Sequence, residues 1–76
     1  MSTIEELEKI IARITHGGAH NLSMETALKD VKADSLHWVQ IIIAAETEFD
    51  IEVDIDKMRG FTTIADFVNY IDEARE

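Results

Sequence analysis

Residues 49–56 read FDIEVDID, and how this stretch is taken decides between two folds. Apolar and acidic residues alternate there, the period of a half-buried β-strand. A strand needs partners, because its backbone N–H and C=O groups must be paired along a ladder. Nothing else in the chain reads as strand. The stretch is therefore an extended connection, with Ile51 and Val53 turned inward and Ile55 as a third candidate pin. A short helix around Asp56–Gly60 is expected to follow.

On both sides of this connection the apolar spacing is helical. Ile4, Leu7, Ile10, Ile11 and Ile14 form one stripe, opened by a capping box at Ser2 and Glu5 or at Thr3 and Glu6. Gly17 and Gly18 are expected to end this first helix, glycine being at ease in the left-handed conformation after a helix. A second helix starts at Ser35 with Asp34 as its N-cap and runs to about Glu48. Leu36, Val39, Ile42, Ile43 and Phe49 are its expected buried stripe, with Trp38 and Ile41 partly off it. The last helix is capped by Thr62 or Thr63 with Asp66, and Ile64, Phe67, Val68 and Ile71 form its stripe, with Tyr70 at the edge. Between the first two helices lies a long first loop, pinned to the core by Leu22, Met24, Leu28 and Val31. Three main helices and one short helix make a small all-α four-helix bundle, a single domain over residues 1–76.

With 76 residues there is little material for the walls, lid and cofactor cradle of an enzyme active site. The formal charge of −9 opposes nucleic acid and anionic membrane surfaces and favours basic protein partners or divalent cations. The longest unbroken apolar run, Ile41–Ala45, is far too short to span a membrane. There is no cysteine and no basic, apolar leader at the N-terminus, so a soluble cytoplasmic protein is expected.

Three patterns invite a chemical reading. Ser35 and His37 are the residue types of a hydrolase, yet positions i and i+2 lie about 200° apart on a helix, so the histidine cannot serve the serine as a base. His16 and His20 have the spacing of zinc ligands, but Gly17 and Gly18 interrupt the helix that would align them, so no metal site is expected. The carboxylates Asp50, Glu52, Asp54 and Asp56 resemble a calcium loop, but Ile55 and Phe61 stand where that loop needs glycine and glutamate. What remains is Ser35 itself, an exposed hydroxyl at the positive end of a helix dipole, where a phosphate ester is electrostatically favoured.

The order and separation of Ala33-Asp34-Ser35-Leu36, Val39, Glu46 to Val53, Phe61-Thr62-Thr63-Ile64 and Tyr70-Ile71 resemble the acyl carrier protein family over nearly the whole chain. The resemblance implies that Ser35 receives 4′-phosphopantetheine and that Asp34 helps recruit the phosphopantetheinyl transferase. Acyl groups would then ride as thioesters on the arm, and the protein would be a non-catalytic, monomeric carrier. Further partners would be acyl-loading and acyl-transferring enzymes, met through Leu36, His37, Gln40, Ile43 and Glu46. Trp38, Ala45, Met58, Phe61 and Phe67 are the candidates for an acyl pocket.

The chain departs from the family pattern in several places. His37 and Gln40 stand where fatty-acid carriers usually place acids, Lys32 where glycine is usual, and Asp54 where proline is. Ala45 replaces a usual leucine, and Phe67 is bulkier than the residue often found there. A specialised carrier in a lipid or polyketide pathway is the expectation. A stand-alone aminoacyl or peptidyl carrier is the alternative within this chemistry, and an unmodified adaptor gripping a helix with Trp38, Ile41 and Ile43 is the alternative outside it.

Overall fold

The structure is a computed structural model and describes residues 2–16 and 22–75. Helix α1 spans Thr3–Ile14, α2 Ser35–Phe49, α3 Ile55–Met58 and α4 Ile64–Ala74, with a 3₁₀ turn at Leu28–Asp30 in the long first loop. Among the described residues there is no strand, only an isolated bridge between Ala27 and Thr63. The all-α bundle inferred from the sequence is the fold observed.

Helix α1 begins with the Ser2–Glu5 capping box: the Glu5 amide donates to Ser2 Oγ at 3.3 Å and the Ser2 amide to Glu5 Oε1 at 3.1 Å. Its buried face is Leu7, Ile10 and Ile11, with Ile4 and Ile14 packed against the core at its ends. The left-handed residue after the helix is His16, at φ 55°, one position before the expected glycines, which lie outside the described residues. Thr15 tightens this end by donating from Oγ1 to the Ile11 carbonyl. His20, half of the histidine pair, also lies outside them.

α1 packs against both α2 and α4. Leu7, Ile11, Ile41, Ile64, Phe67 and Ile71 are fully buried where the three helices meet. The α4 stripe Ile64, Phe67, Val68 and Ile71 is buried as the spacing requires. Its N-terminus is held by the Asp66 carboxylate, which accepts from the Thr62 and Thr63 amides at 2.8 and 3.2 Å. The amides of Thr62 and then Thr63 hold the Asp66 carboxyl below the usual carboxylate range, as the amide and hydroxyl of Ser2 do for Glu5.

The buried face of α2 is not the expected one. Ile41, Ala45 and Phe49 face the core, while Leu36, Val39 and Ile43 are 65%, 48% and 57% exposed. Ile41, placed off the stripe by spacing alone, is fully buried. The reason is composition: eight of the eleven residues Ser35–Ala45 are apolar, so apolar positions occur on every side of the helix and periodicity cannot select one. Packing against α1 selects the face, and the stripe at 36, 39 and 43 is left on the opposite side.

The first loop is tied down by backbone as much as by side chains. Val31 is buried and Leu22 and Leu28 are half-buried, but the Met24 side chain is exposed. Met24 contributes its carbonyl, which accepts from the Ala65 amide at 2.9 Å. The amides of Leu28 and Ile64 donate to the Thr62 and Thr26 carbonyls, which joins the loop to the start of α4.

The connection after α2 is extended from Ile51 to Asp54, as expected, with Ile51 buried and Val53 half-buried. Ile55 is no pin: it is the first residue of α3 and is 56% exposed. The α2 helix ends at Asp50 in the left-handed conformation, φ 54° and ψ 53°, a conformation aspartate tolerates better than most residues. The unpaired strand groups find other partners. The Val53 amide donates to Glu46 Oε2 at 2.9 Å and the Asp54 amide to Tyr70 Oη at 3.0 Å, while the Tyr70 hydroxyl donates to the Glu52 carbonyl at 3.3 Å.

Candidate functional site

The site is built at the start of α2. Asp34 is the N-cap in extended conformation, and its Oδ1 accepts from the His37 amide at 2.8 Å. His37 answers in the other direction: its Nδ1 accepts from the Asp34 amide at 3.3 Å. This is a capping box in which an imidazole takes the place of the usual Glu or Gln. Ser35 is the first helical residue and is exposed. Among the described residues no hydrogen bond engages its hydroxyl. His37 is therefore committed to the cap and not to Ser35, in agreement with the angular argument against a hydrolase.

At about 100° per residue, Ser35, Trp38 and Ile42 fall along one side of α2. That side opens on a cavity of about 280 Å³. Trp38 and Ile42 form one wall, Leu28 and Lys29 of the 3₁₀ turn a second, and Ile55, Met58 and Arg59 of the α3 region a third. The lining is almost wholly apolar, so Lys29 and Arg59 contribute their stems while their charged ends remain in solvent. Arg59 also meets Asp56 at 3.6 Å.

Of the five residues expected in an acyl pocket, Trp38 and Met58 line this cavity. Ala45 and Phe67 do not, because both are wholly buried in the core on the α1 side. Phe61 stacks on Phe67 and Tyr70, with ring centroids 6.1 and 5.6 Å away. The walls that spacing did not single out are Leu28, Lys29, Ile42, Ile55 and Arg59. Leu28 and Ile55 belong to short elements whose placement depends on contacts far away in sequence.

The expected partner contacts divide in a similar way. Leu36 and Ile43 are exposed on one strip with Val39, and Gln40 is exposed beside them. Glu46 is half-buried, and its carboxylate is occupied with the Val53 amide. The strip carries no acid: between Ser35 and Ala45 α2 has none. Among the described residues no helix is long and apolar enough to cross a membrane.

Residues 5–71 match the family model described as a phosphopantetheine attachment site. The chain is 33% identical over 73 residues to an acyl carrier protein of Streptococcus thermophilus, covering 96% of each. It is 37% identical over 73 residues to an acyl carrier protein of Clostridium perfringens, covering 95% of this chain and 96% of that one. Its fold is similar to the solution structure of a holo acyl carrier protein from Geobacter metallireducens, with a TM-score of 0.82 at 21% identity over 97% of this chain and 86% of that one.

A serine that is to carry a phosphodiester must be reachable and uncommitted, and Ser35 is both. An arm rooted there would stand beside an apolar cavity on its own side of the helix. The residues present therefore fit the prosthetic group of these relatives. The chain belongs to the acyl carrier protein family, and is an acyl carrier whose prosthetic group is 4′-phosphopantetheine.

Proposed function

We propose that Ser35 bears the arm, that Asp34 supports its installation, and that the exposed strip of α2 presents the arm's cargo to partner enzymes. One observation carries this reading: an exposed, uncommitted hydroxyl in the first turn of a capped helix, on the side that opens on the cavity. Ser35 Oγ attacks the phosphorus of coenzyme A that bears pantetheine. A new O–P bond forms, the diphosphate bridge breaks, the adenosine bisphosphate half leaves and the hydroxyl proton passes to the transferase. When bound, the group supplies a terminal thiol that holds acyl chains as thioesters. No side chain of this protein is asked to do chemistry on them.

The cavity is the resting place we assign to the acyl chain. Leu36, His37, Gln40 and Ile43 are the partner contacts, Glu46 acting indirectly by fixing the connection to α3. A strip of apolar residues without acids suits enzymes that dock through apolar contacts more than through lysine and arginine. That favours a specialised lipid or polyketide pathway over housekeeping fatty-acid synthesis, with the domain acting as a monomeric, non-catalytic carrier in the cytoplasm. The adaptor reading loses ground, since Trp38 lines the cavity and Ile41 is in the core, leaving Ile43 as its one exposed anchor.

Intact-mass spectrometry after treatment with a promiscuous phosphopantetheinyl transferase and coenzyme A tests the attachment. One phosphopantetheine is expected on the wild type and none on Ser35→Ala. An arm on Ser35→Ala, or an unmodified wild type, overturns it.

A further inference from the structure

The box that closes the start of α2 depends on a titratable ring. Asp34 N–H donates to His37 Nδ1 at 3.3 Å, His37 N–H donates to Asp34 Oδ1 at 2.8 Å, and Nδ1 lies 3.5 Å from that same Oδ1. A ring nitrogen accepts a hydrogen bond only while it carries no proton, so this arrangement requires the tautomer protonated on Nε2. The Glu or Gln usual at this position accepts through an oxygen and makes no such demand at neutral pH.

We propose that His37, with Nδ1 unprotonated, is a positioning residue for the installation of the arm on Ser35. The inference rests on Ser35 being the attachment serine. Ser35 lies between the two residues of the box, so the box fixes the backbone on both sides of the hydroxyl that must meet the transferase. Protonation of Nδ1 replaces the acceptor with a donor and leaves the Asp34 amide without its partner. The new N–H then competes for Asp34 Oδ1 with the His37 amide, which already uses it. A positive charge at a helix N-terminus also opposes the helix dipole. The attraction between the imidazolium and Asp34 works the other way, but it is weak where the carboxylate is 70% exposed.

Asp34 is the one carboxylate within ion-pair distance of the ring among the described residues. The preceding segment carries Asp30 and Lys32, neither with an ion pair to His37. From α1, Glu6, Lys9 and Arg13 gather at the Glu48 end of α2, and from the α3 region Asp56 and Arg59 pair with each other. Histidine is the side chain whose charge ordinarily changes between about pH 5 and pH 8. Arm installation on this carrier should depend on whether Nδ1 is protonated, in a way a carrier with Gln at this position does not.

The experiment follows arm transfer by intact mass on wild type, His37→Gln, His37→Ala and Ser35→Ala, with one transferase at several pH values. Taking each rate relative to His37→Gln at the same pH removes the transferase's own pH dependence. At about pH 8 wild type and His37→Gln should each load faster than His37→Ala, by about three- to tenfold where the reciprocal cap is lost. Once acid protonates Nδ1, the wild-type ratio should fall to that of His37→Ala. A second readout uses the unmodified protein: in nitrogen-15 NMR the neutral ring should be the Nε2–H tautomer, and the Asp34 amide proton should titrate together with it. A wild-type ratio that does not vary with pH, an Nδ1–H tautomer, or His37→Ala loading like wild type at high pH would each overturn the proposal. An arm on Ser35→Ala would instead overturn the attachment site, and the NMR result would still decide the role of the ring in the cap.

Discussion

Helices α2 and α4 are both rich in apolar residues, and they spend them differently. Every apolar residue of the α4 stripe is buried, and the side turned away from the core is polar. α2 buries Ile41, Ala45 and Phe49 and leaves Leu36, Val39 and Ile43 in solvent beside Ser35. A small acidic domain gains no stability from three exposed aliphatic residues on one side of a helix. Such a strip is a feature of contact surfaces more than of folding. α4 holds the bundle together, whereas α2 divides its surface between the core and the outside.

The largest expected effect separates the two helices by stability. Phe67→Ala in α4 removes a fully buried ring and should cost about 3–5 kcal/mol, much of what a domain of this size possesses. Ile43→Ala in α2 should stay within about 0.5 kcal/mol of wild type. Urea unfolding followed by circular dichroism measures both. Equal costs would mean that Ile43 is in the core and that the comparison between the helices is false.

A smaller effect tests what the outer side of α2 is for. Replacing Leu36, Val39 and Ile43 together by Gln should leave the unfolding midpoint nearly unchanged. It should lower kcat/KM for acyl transfer by a partner synthase by about tenfold or more, as removal of interface anchors does. Transfer that continues at the wild-type rate would leave the strip without a function.

The smallest effect concerns the caps. Asp66 at the start of α4 and Glu5 at the start of α1 have carboxyls held below their usual range by the amides they accept from. A lowered folded value means that the stabilisation is present above the unfolded value and lost as pH falls through the folded one, that is below about pH 4. Thermal melts of wild type and Glu5→Gln/Asp66→Asn between about pH 3 and pH 6 should converge towards the acid end, with wild type the more stable above it. A constant gap across that range would remove these two carboxylates from the acid limb.

Much of this architecture is legible in local pattern. The stripes of α1 and α4 stand out because polar residues fill their outer sides, so only one phase satisfies each. Asp34 and Ser35 announce a helix start through local chemistry, which needs no distant partner. FDIEVDID is excluded as a strand by counting the partners it lacks. The amino-acid sequence by itself thus determined the all-α class, the three main helices, the Asp34 cap of α2 and the position of the candidate serine.

Tertiary structure decided what local pattern leaves degenerate. The face α2 buries is not encoded in its spacing, because with apolar residues on every side the choice falls to the surface α1 offers. The cavity requires the 3₁₀ turn, α2 and α3 to meet, and its walls come from residues up to 31 positions apart in the chain. Glu46 has the pattern of a surface acid until the fold brings the Val53 amide to it. His37 stands in the place of a missing carboxylate until its ring closes on the Asp34 amide. In each case the deciding contact joins groups whose distance is set by how the chain turns and packs, and no periodicity along a single helix carries that distance.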